Sequence, residues 1–182
     1  ALLLHSAWRG RNVIGMTDCM VGLLDGMNED GLAVSLTFGG RTITGTGFGI
    51  PIVLRYVLET CSDAEQAVAA LRRIPVHMAY NVTVLDRDKR FRSVFLNPDQ
   101  PAVVTDSAVA TNHQHEMEPT EHHWGATSVE RETYLLQELT RYPGSADEFV
   151  SAFQWPPLYS FGFEQGRGTL YTAAYRLVAN TL

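Results

Sequence analysis

The sequence is poor in lysine, in cysteine and in long apolar runs, and each shortage excludes a class of protein. Lys89 is the only lysine, and the net charge over 182 residues is -6, which argues against binding to the phosphate backbone of nucleic acids. No apolar run approaches the roughly 20 residues that span a bilayer, so we expect no membrane insertion. Cys19 and Cys61 are too few for a disulfide framework. They suit a reducing compartment, so we expect a cytoplasmic location.

The sequence does not begin with methionine, and we expect no signal sequence in its first residues. The segment from Ala1 to Trp8 has no basic leader and is too short for a signal, so we interpret it as a strand. We therefore expect the chain to begin inside a longer protein. With 45% hydrophobic and 19% charged residues, no repeat and no internal linker, residues 1–182 are expected to form a single globular domain.

Strand and helix patterns occur in separate blocks along the chain. Strand patterns come first, then two helices, further strands, two further helices and a last strand. This order is typical of an α+β fold with antiparallel sheets and not of alternating βαβ units. The predicted strands are 2–8, 13–16, 20–24, 32–38, 80–85, 91–96, 102–105, 108–111 and 169–178.

The helices are predicted from capping signals and from apolar spacing. Pro51 lies in the first turn of a helix that ends near Cys61. The other helices begin at capping boxes that start with Ser62, Thr127 and Ser145.

Two glycine-rich loops lie in the first half of the chain. Residues 25–31 connect the predicted strands 20–24 and 32–38, and we interpret the three segments as a hairpin. Residues 45–49 precede a helix, but they lack the G-x-G-x-x-G spacing and a βαβ unit. We therefore expect no nucleotide and no other cofactor.

A polar segment contains four histidines, which raises the question of a metal site. They are His113, His115, His122 and His123. Their spacing matches none of the usual compact zinc sets, so we expect a solvated loop near the mouth of a site and no metal. A histidine-loop metal protein is the minor alternative.

Composition and spacing alone do not identify a catalytic nucleophile. Cys19 heads a predicted strand, and self-cleavage before it would expose an N-terminal thiol whose own amine serves as base. A buried core cysteine is the interpretation that we favour. No G-x-S-x-G motif indicates a serine hydrolase.

Five motifs in one order resemble the choloylglycine hydrolase and isopenicillin N acyltransferase superfamily. They are residues 25–34 (DGMNEDGLAV), 49–61 (beginning Gly-Ile-Pro), 80–81 (Tyr-Asn), 110–113 (Ala-Thr-Asn-His) and 128–131 (Ser-Val-Glu-Arg). The resemblance implies an αββα sandwich of two antiparallel sheets between helical layers, of which this chain is the larger, C-terminal part, incomplete at the N-terminus.

The resemblance also implies an activity, the cleavage of a linear carbon-nitrogen amide bond in a small molecule. Members use an N-terminal cysteine whose α-amine accepts the thiol proton. Its segment has no counterpart here, so we expect the missing N-terminal segment, or a separate chain, to be the partner that supplies it. A homo-oligomer is possible, and this chain alone is expected to be inactive.

Two positions carry over by resemblance, and a third departs from the family pattern. Asn112 matches an asparagine that helps to stabilise the tetrahedral oxyanion; a turn asparagine is the alternative. Arg131 matches an arginine near the reacting centre, and an exposed arginine paired with Glu130 or Glu138 is the alternative. Thr37 stands where bile-salt hydrolases have asparagine, so a hydroxyl replaces an amide at a proposed oxyanion or substrate contact.

A function of a different class is also left open by the sequence. The chain would then be an inactive fragment that serves as a binding or assembly module, since missing strands leave exposed sheet edges that pair with other chains.

Overall fold

The computed structural model describes residues 1–17, 19–114, 123–141 and 145–177. The strands are β1 (Leu2–Ser6), β2 (Val13–Thr17), β3 (Asp25–Asn28), β4 (Ala33–Phe38), β5 (Tyr80–Leu85), β6 (Phe91–Leu96), β7 (Val103–Thr105), β8 (Phe161–Gly162) and β9 (Arg167–Gly168). The helices are α1 (Ile50–Thr60), α2 (Ala64–Arg73), α3 (His123–Arg141) and α4 (Ala146–Ala152).

The strands β1 to β7 form one sheet whose order follows the chain. Every neighbouring pair is antiparallel, so successive strands run in opposite directions. The strands β8 and β9 form a separate small ladder. The predicted α+β class with antiparallel sheets is confirmed.

Alternation along the strands divides the large sheet into two faces. Val82 and Val84 are fully buried in a core that includes Leu58 of α1 and Leu71 of α2. These helices therefore cover one face. Asn81 alternates to the other face, where it meets the loop that follows β7. The candidate site described below lies on this second face.

The predicted hairpin with strand 20–24 is wrong. Met20 has a positive φ of 61°, which bends the chain, and the amides of residues 23 and 24 donate to the carbonyls of Pro51 and Met16. These two amides are therefore not available for a ladder with β4. In the hairpin, the partner of β4 is instead β3, which lies inside the predicted loop.

Two other predicted strands are also absent from the described residues. At 108–111 the hydroxyl of Ser107 both donates to the carbonyl and accepts from the amide of Val109, so a local side-chain turn replaces the ladder. Residues 169–177 form no strand apart from one bridge at Arg176. Val178, the predicted end, lies outside the described residues.

The helix starts agree in part with the predicted capping boxes. The Ser145 box is confirmed, since its hydroxyl accepts from the amide of Glu148 and the Glu148 side chain accepts in return. In α2 the cap is Asp63, whose carboxylate accepts from the Gln66 amide, and not Ser62. The first helix begins with Pro51 in its first turn and ends at Cys61, as predicted.

None of the helices in the described part of the chain has both the length and the apolar character that crossing a membrane requires.

Asn28 joins the β3–β4 hairpin to the end of α1. It is 1% exposed, and its Nδ2 donates to the carbonyls of Leu58 at 2.9 Å and Cys61 at 2.8 Å. Its Oδ1 accepts from the amides of Asp30 and Leu32. One side chain thus satisfies the tight turn and the helix C-terminus together.

We predict that Asn28→Ala lowers the free energy of unfolding by roughly 3 kcal/mol, because it leaves buried backbone groups without partners. Urea unfolding measures this. The control is Asn12→Ala, which removes an exposed bond to Glu29 and should cost less than about 1 kcal/mol. Equal losses in the two variants would contradict the bridging role of Asn28.

A second buried polar side chain, Asp86, links the β5–β6 turn to α2. Its carboxylate accepts from the Ala64 amide at 3.1 Å and from the Arg90 Nε at 2.8 Å. Burial alone would raise the pKa of the Asp86 carboxyl, but hydrogen bonds from Ala64 and Arg90 outweigh it and hold the pKa below its ordinary value.

Because the pKa of Asp86 is lowered on folding, its contribution to stability is present above pH ~4 and is lost as pH falls through the folded-state pKa. We predict that Asp86→Asn destabilises the protein by about 2 kcal/mol at neutral pH and that this difference shrinks below pH ~4. Urea unfolding across this range measures it, with Asp88→Asn, on the exposed side of the same turn, as control. A difference that is constant with pH would refute the assignment.

Candidate active site

A cleft of about 1000 Å³ lies between the loop that follows β7, the first half of α3 and residues 156–177, which we call the C-terminal segment. Its lining includes Asn112, Thr127, Glu130, Arg131, Pro156, Pro157, Leu158, Tyr159, Ser160, Phe161, Gly162, Gly166, Gly168 and Thr169. The two positions carried over by resemblance, Asn112 and Arg131, are in this lining. A cleft of this volume suits a small-molecule ligand.

Asn112 and Arg131 contact each other directly. The Nη2 of Arg131 donates to the Oδ1 of Asn112 at 2.9 Å, and the Nε of Arg131 donates to the Thr127 carbonyl at 3.2 Å. Both side chains are half-buried. The interpretation of Arg131 as an exposed residue paired with Glu130 or Glu138 is therefore wrong, because Glu138 pairs with Arg141 and Arg131 faces the cleft.

The loop that carries Asn112 is tied to the second face of the sheet. The Nδ2 of Asn81 donates to the carbonyls of Thr111 at 2.7 Å and His113 at 2.9 Å. The Nε2 of Gln114 donates to the Oδ1 of Asn81 at 3.0 Å. The carbonyls of the two residues on either side of Asn112 are thereby held by a single side chain, which is 1% exposed.

The same loop is tied to α3. The hydroxyl of Thr111 donates to the carbonyl of Ser128 at 3.1 Å and accepts from its hydroxyl at 3.0 Å. The Nδ1 of His113 lies 2.8 Å from the Ser128 hydroxyl, and its Nε2 lies 3.3 Å from Glu132. Ser128 is fully buried inside the helix, so the capping box predicted at Thr127 is wrong. The helix already begins at His123.

Thr37, the third position, supports the loop. Its hydroxyl donates to the Thr111 carbonyl at 2.9 Å, and it is not among the residues that line the cleft. In this arrangement the hydroxyl proton of Thr37 is directed at the loop. A substrate contact through its remaining acceptor capacity stays a prediction.

The C-terminal segment that forms much of the cleft lining is held to β3 by two tyrosines. The hydroxyls of Tyr171 and Tyr175 both donate to the Asp25 carboxylate. Burial raises the pKa of Asp25, against the opposing effect of these hydrogen bonds. Burial and the bond to Asp25 also raise the pKa of Tyr175. The cleft lining is thus anchored to the sheet through a desolvated carboxylate.

The histidine segment has a different structure from the expected solvated loop where it is described. His113 is mostly buried, with its Nδ1 beside the Ser128 hydroxyl and its Nε2 3.3 Å from the Glu132 carboxylate. His115 and His122, with the side chain of His123, lie outside the described residues. Within the described part of the chain, no three potential metal-ligating side chains come together.

Neither cysteine lies in the cleft lining. Cys19 is exposed, so the expectation of a core position is wrong; the bend at Met20 keeps this segment out of the sheet. Cys61 is buried at the end of α1, and burial raises the pKa of its thiol, which disfavours the thiolate.

Sequence reasoning missed the supporting residues of the site. Asn81 was identified only as part of the Tyr-Asn motif, yet it donates to the carbonyls of both neighbours of Asn112. The signal that was available is a carboxamide inside a strand, which needs buried partners if it does not face solvent. No local signal connects Asp25 to tyrosines that lie 146 and 150 residues away.

Solved structures with the same fold include amide hydrolases. The Caenorhabditis elegans N-acylethanolamine-hydrolyzing acid amidase ortholog matches with a TM-score of 0.61 and 18% identity, over 88% of this chain and 75% of that chain. At this identity the likeness shows the fold.

Two bacterial structures match with lower TM-scores. Conjugated bile acid hydrolase from Clostridium perfringens has a TM-score of 0.46 and 17% identity, over 74% of this chain and 43% of its own. Penicillin V acylase from Agrobacterium tumefaciens has a TM-score of 0.41 and 23% identity, over 53% of this chain and 33% of its own. The chain thus spans less than half the length of these two proteins.

Among curated proteins, none matches this sequence. Residues 2–182 match the family described as acyl-coenzyme A:6-aminopenicillanic acid acyl-transferase. This match and the shared fold confirm the resemblance to the choloylglycine hydrolase and isopenicillin N acyltransferase superfamily. The chain therefore belongs to the acyl-coenzyme A:6-aminopenicillanic acid acyl-transferase family.

Proposed function

We propose that this chain supplies the oxyanion-binding part of an amide hydrolase or acyltransferase whose nucleophile is an N-terminal cysteine outside residues 1–182. The observation that carries the proposal is the 2.9 Å hydrogen bond from Arg131 to Asn112 at the surface of the cleft. The family match supports the reaction class.

The bond from Arg131 decides which end of the Asn112 amide a ligand meets. A guanidinium only donates, so the atom that accepts from it is the carbonyl Oδ1. The two hydrogens on Nδ2 are then the groups that Asn112 offers to the cleft, and in the described residues no acceptor takes them. An amide donor held in this way suits the negative oxygen of a tetrahedral intermediate.

The guanidinium of Arg131 adds a positive charge next to this donor. Burial lowers the pKa of Arg131, but an arginine stays protonated at neutral pH. Within the described residues it has no carboxylate partner, and its hydrogen bonds go to an amide and a carbonyl. No ion pair within the described residues therefore neutralises its charge, which stabilises negative charge that develops beside Asn112.

In the proposed reaction, the thiol proton passes to the α-amine of the cysteine, and sulfur bonds to the carbonyl carbon of a small-molecule amide. The carbonyl π electrons move to oxygen, where Asn112 and Arg131 stabilise them. When the double bond re-forms, the carbon-nitrogen bond breaks, and the amine leaves with the proton that the ammonium returns. Water or a second amine then attacks the thioester, which gives hydrolysis or acyl transfer.

The alternative function, an inactive binding or assembly module, rests on the edge strand β1. Leu2 and Leu3 are each 58% exposed on this strand, and an exposed edge of this kind accepts a further strand. The two functions differ in a simple measurement, because only the enzyme releases an amine from an amide. The cytoplasmic location and a homo-oligomeric state stay predictions.

We predict that Asn112→Ala lowers kcat about 100- to 1000-fold with a much smaller effect on KM, because it deletes a donor that acts on the transition state. The assay uses the protein with the sequence that precedes Ala1 in its gene, and a panel of N-acyl amides. The control is Asn97→Ala, which deletes a carboxamide that accepts a hydrogen bond from Arg41 outside the cleft. An unaltered protein that releases no amine from any member of the panel overturns the proposed function.

We predict that Arg131→Leu also lowers kcat, by roughly 10- to 100-fold, because Asn112 loses the bond that orients it and the oxyanion loses a nearby charge. Arg141→Leu is the control, since Arg141 is an exposed arginine on the same helix. Similar kcat values for the two leucine variants would show that Arg131 has no part in the reaction.

A further inference from the structure

Three consecutive loop residues meet one face of α3. Thr111 and His113 contact Ser128, and Asn112, between them, accepts from Arg131. His113 also reaches Glu132.

The contacting residues of α3 are at spacings i, i+3 and i+4, which places them on one side of the helix. The rotation of this helix about its axis therefore decides where the Arg131 guanidinium lies relative to Asn112. A contact that fixes this rotation acts on the site without touching a substrate.

The contact between His113 and Glu132 is well suited to fix the rotation. The two side chains are each only 10% exposed, and the His113 Nε2 lies 3.3 Å from the Glu132 Oε2. An attractive contact here requires the proton on Nε2, because a carboxylate only accepts. Removal of either partner leaves a buried polar group, and breaking a buried pair in this way is costly.

Glu132 is also the immediate neighbour of Arg131 in the chain. A glutamate that turned toward the guanidinium would neutralise it and compete with Asn112 for its donors. Because Glu132 lies against His113, Arg131 keeps its donors for Asn112 and Thr127. The contact with His113 thus keeps the Glu132 carboxylate away from the Arg131 guanidinium.

We propose that His113 and Glu132 are positioning residues of the site, a buried couple that sets α3 so that Arg131 orients the Asn112 carboxamide. The role rests on the proposed function, because it acts through Asn112. Buried ion pairs are better attested as devices that select one arrangement than as sources of net stability.

The decisive experiment is a double-mutant cycle in the protein with its native upstream sequence. Glu132→Ala should lower kcat roughly 10- to 100-fold and leave KM within about twofold, since misplacement of catalytic groups by about 1 Å has effects of this size. In an Asn112→Ala background the same change should cost less than about threefold, because residues that act as one unit are not additive.

Glu138→Ala is the matched control, because Glu138 is another buried glutamate on α3 that pairs with Arg141 away from the loop. It should leave kcat unchanged in both backgrounds. An equal loss from Glu132→Ala in both backgrounds, or the same loss from Glu138→Ala, overturns the positioning role. Absence of turnover in the unaltered protein overturns the proposed function instead, so the two failures are distinguishable.

Glu132→Gln and a spectroscopic measurement cover the case in which the alanine variant does not fold. In ¹⁵N spectra of the histidine rings, with His113 identified by its loss in His113→Gln, the Nε2 of His113 should carry a proton. Its signal should shift in Glu132→Gln and stay in place in Glu138→Gln. An Nε2 without a proton in the unaltered protein overturns the couple.

Discussion

The carbonyl oxygen of Thr111 accepts hydrogen bonds from two neighbouring strands, and the position of the candidate site depends on this oxygen. Asn81 donates to it at 2.7 Å and Thr37 at 2.9 Å. The two donors are opposed in the β4–β5 register, so they project from the same face at the same height. A slip of one residue would turn Asn81 into the apolar core, and the loop that presents Asn112 would lose its attachment. The register of the sheet therefore determines where the carboxamide lies.

The charged groups near the cleft are arranged so that one cation stays without a carboxylate in the described residues. Glu132 lies against His113, and Asp25 accepts from tyrosine hydroxyls. Arg131 instead donates to neutral oxygens. If Arg131 had a carboxylate partner, that partner would already offset its positive charge. The arginine would then stabilise a new negative charge only weakly. An arginine bound to an amide and a carbonyl keeps its field for a charge that arises only during a reaction.

The sequence predicts local structure well and long-range contacts poorly, for a physical reason. The β5–β6 hairpin and α1 follow from alternation, helical spacing and Pro51. Segment 20–24 fails because its apolar residues satisfy a strand pattern while a positive φ at Met20 bends it. Asn112 and Arg131 were found through motifs, but the contact between them spans 19 residues. Such a contact depends on how α3 packs, which no local pattern encodes.

The motif Asp-Gly-Met-Asn at 25–28 shows why a short segment can identify a fold. Asp25 holds the tyrosines of the segment that lines the cleft, whereas Asn28 bonds to the end of α1 on the opposite side of the sheet. Between them, a Cβ at Gly26 would lie 2.7 Å from the carbonyl of Ile14, so only glycine fits, and Met27 packs with the C-terminal segment. Alternation along this strand directs Asp25 and Met27 to the C-terminal segment and Gly26 and Asn28 to α1. A change at any of these positions disturbs a contact that the others cannot replace. The motif therefore indicates the layered arrangement and, through Asp25, the position of the segment that lines the cleft.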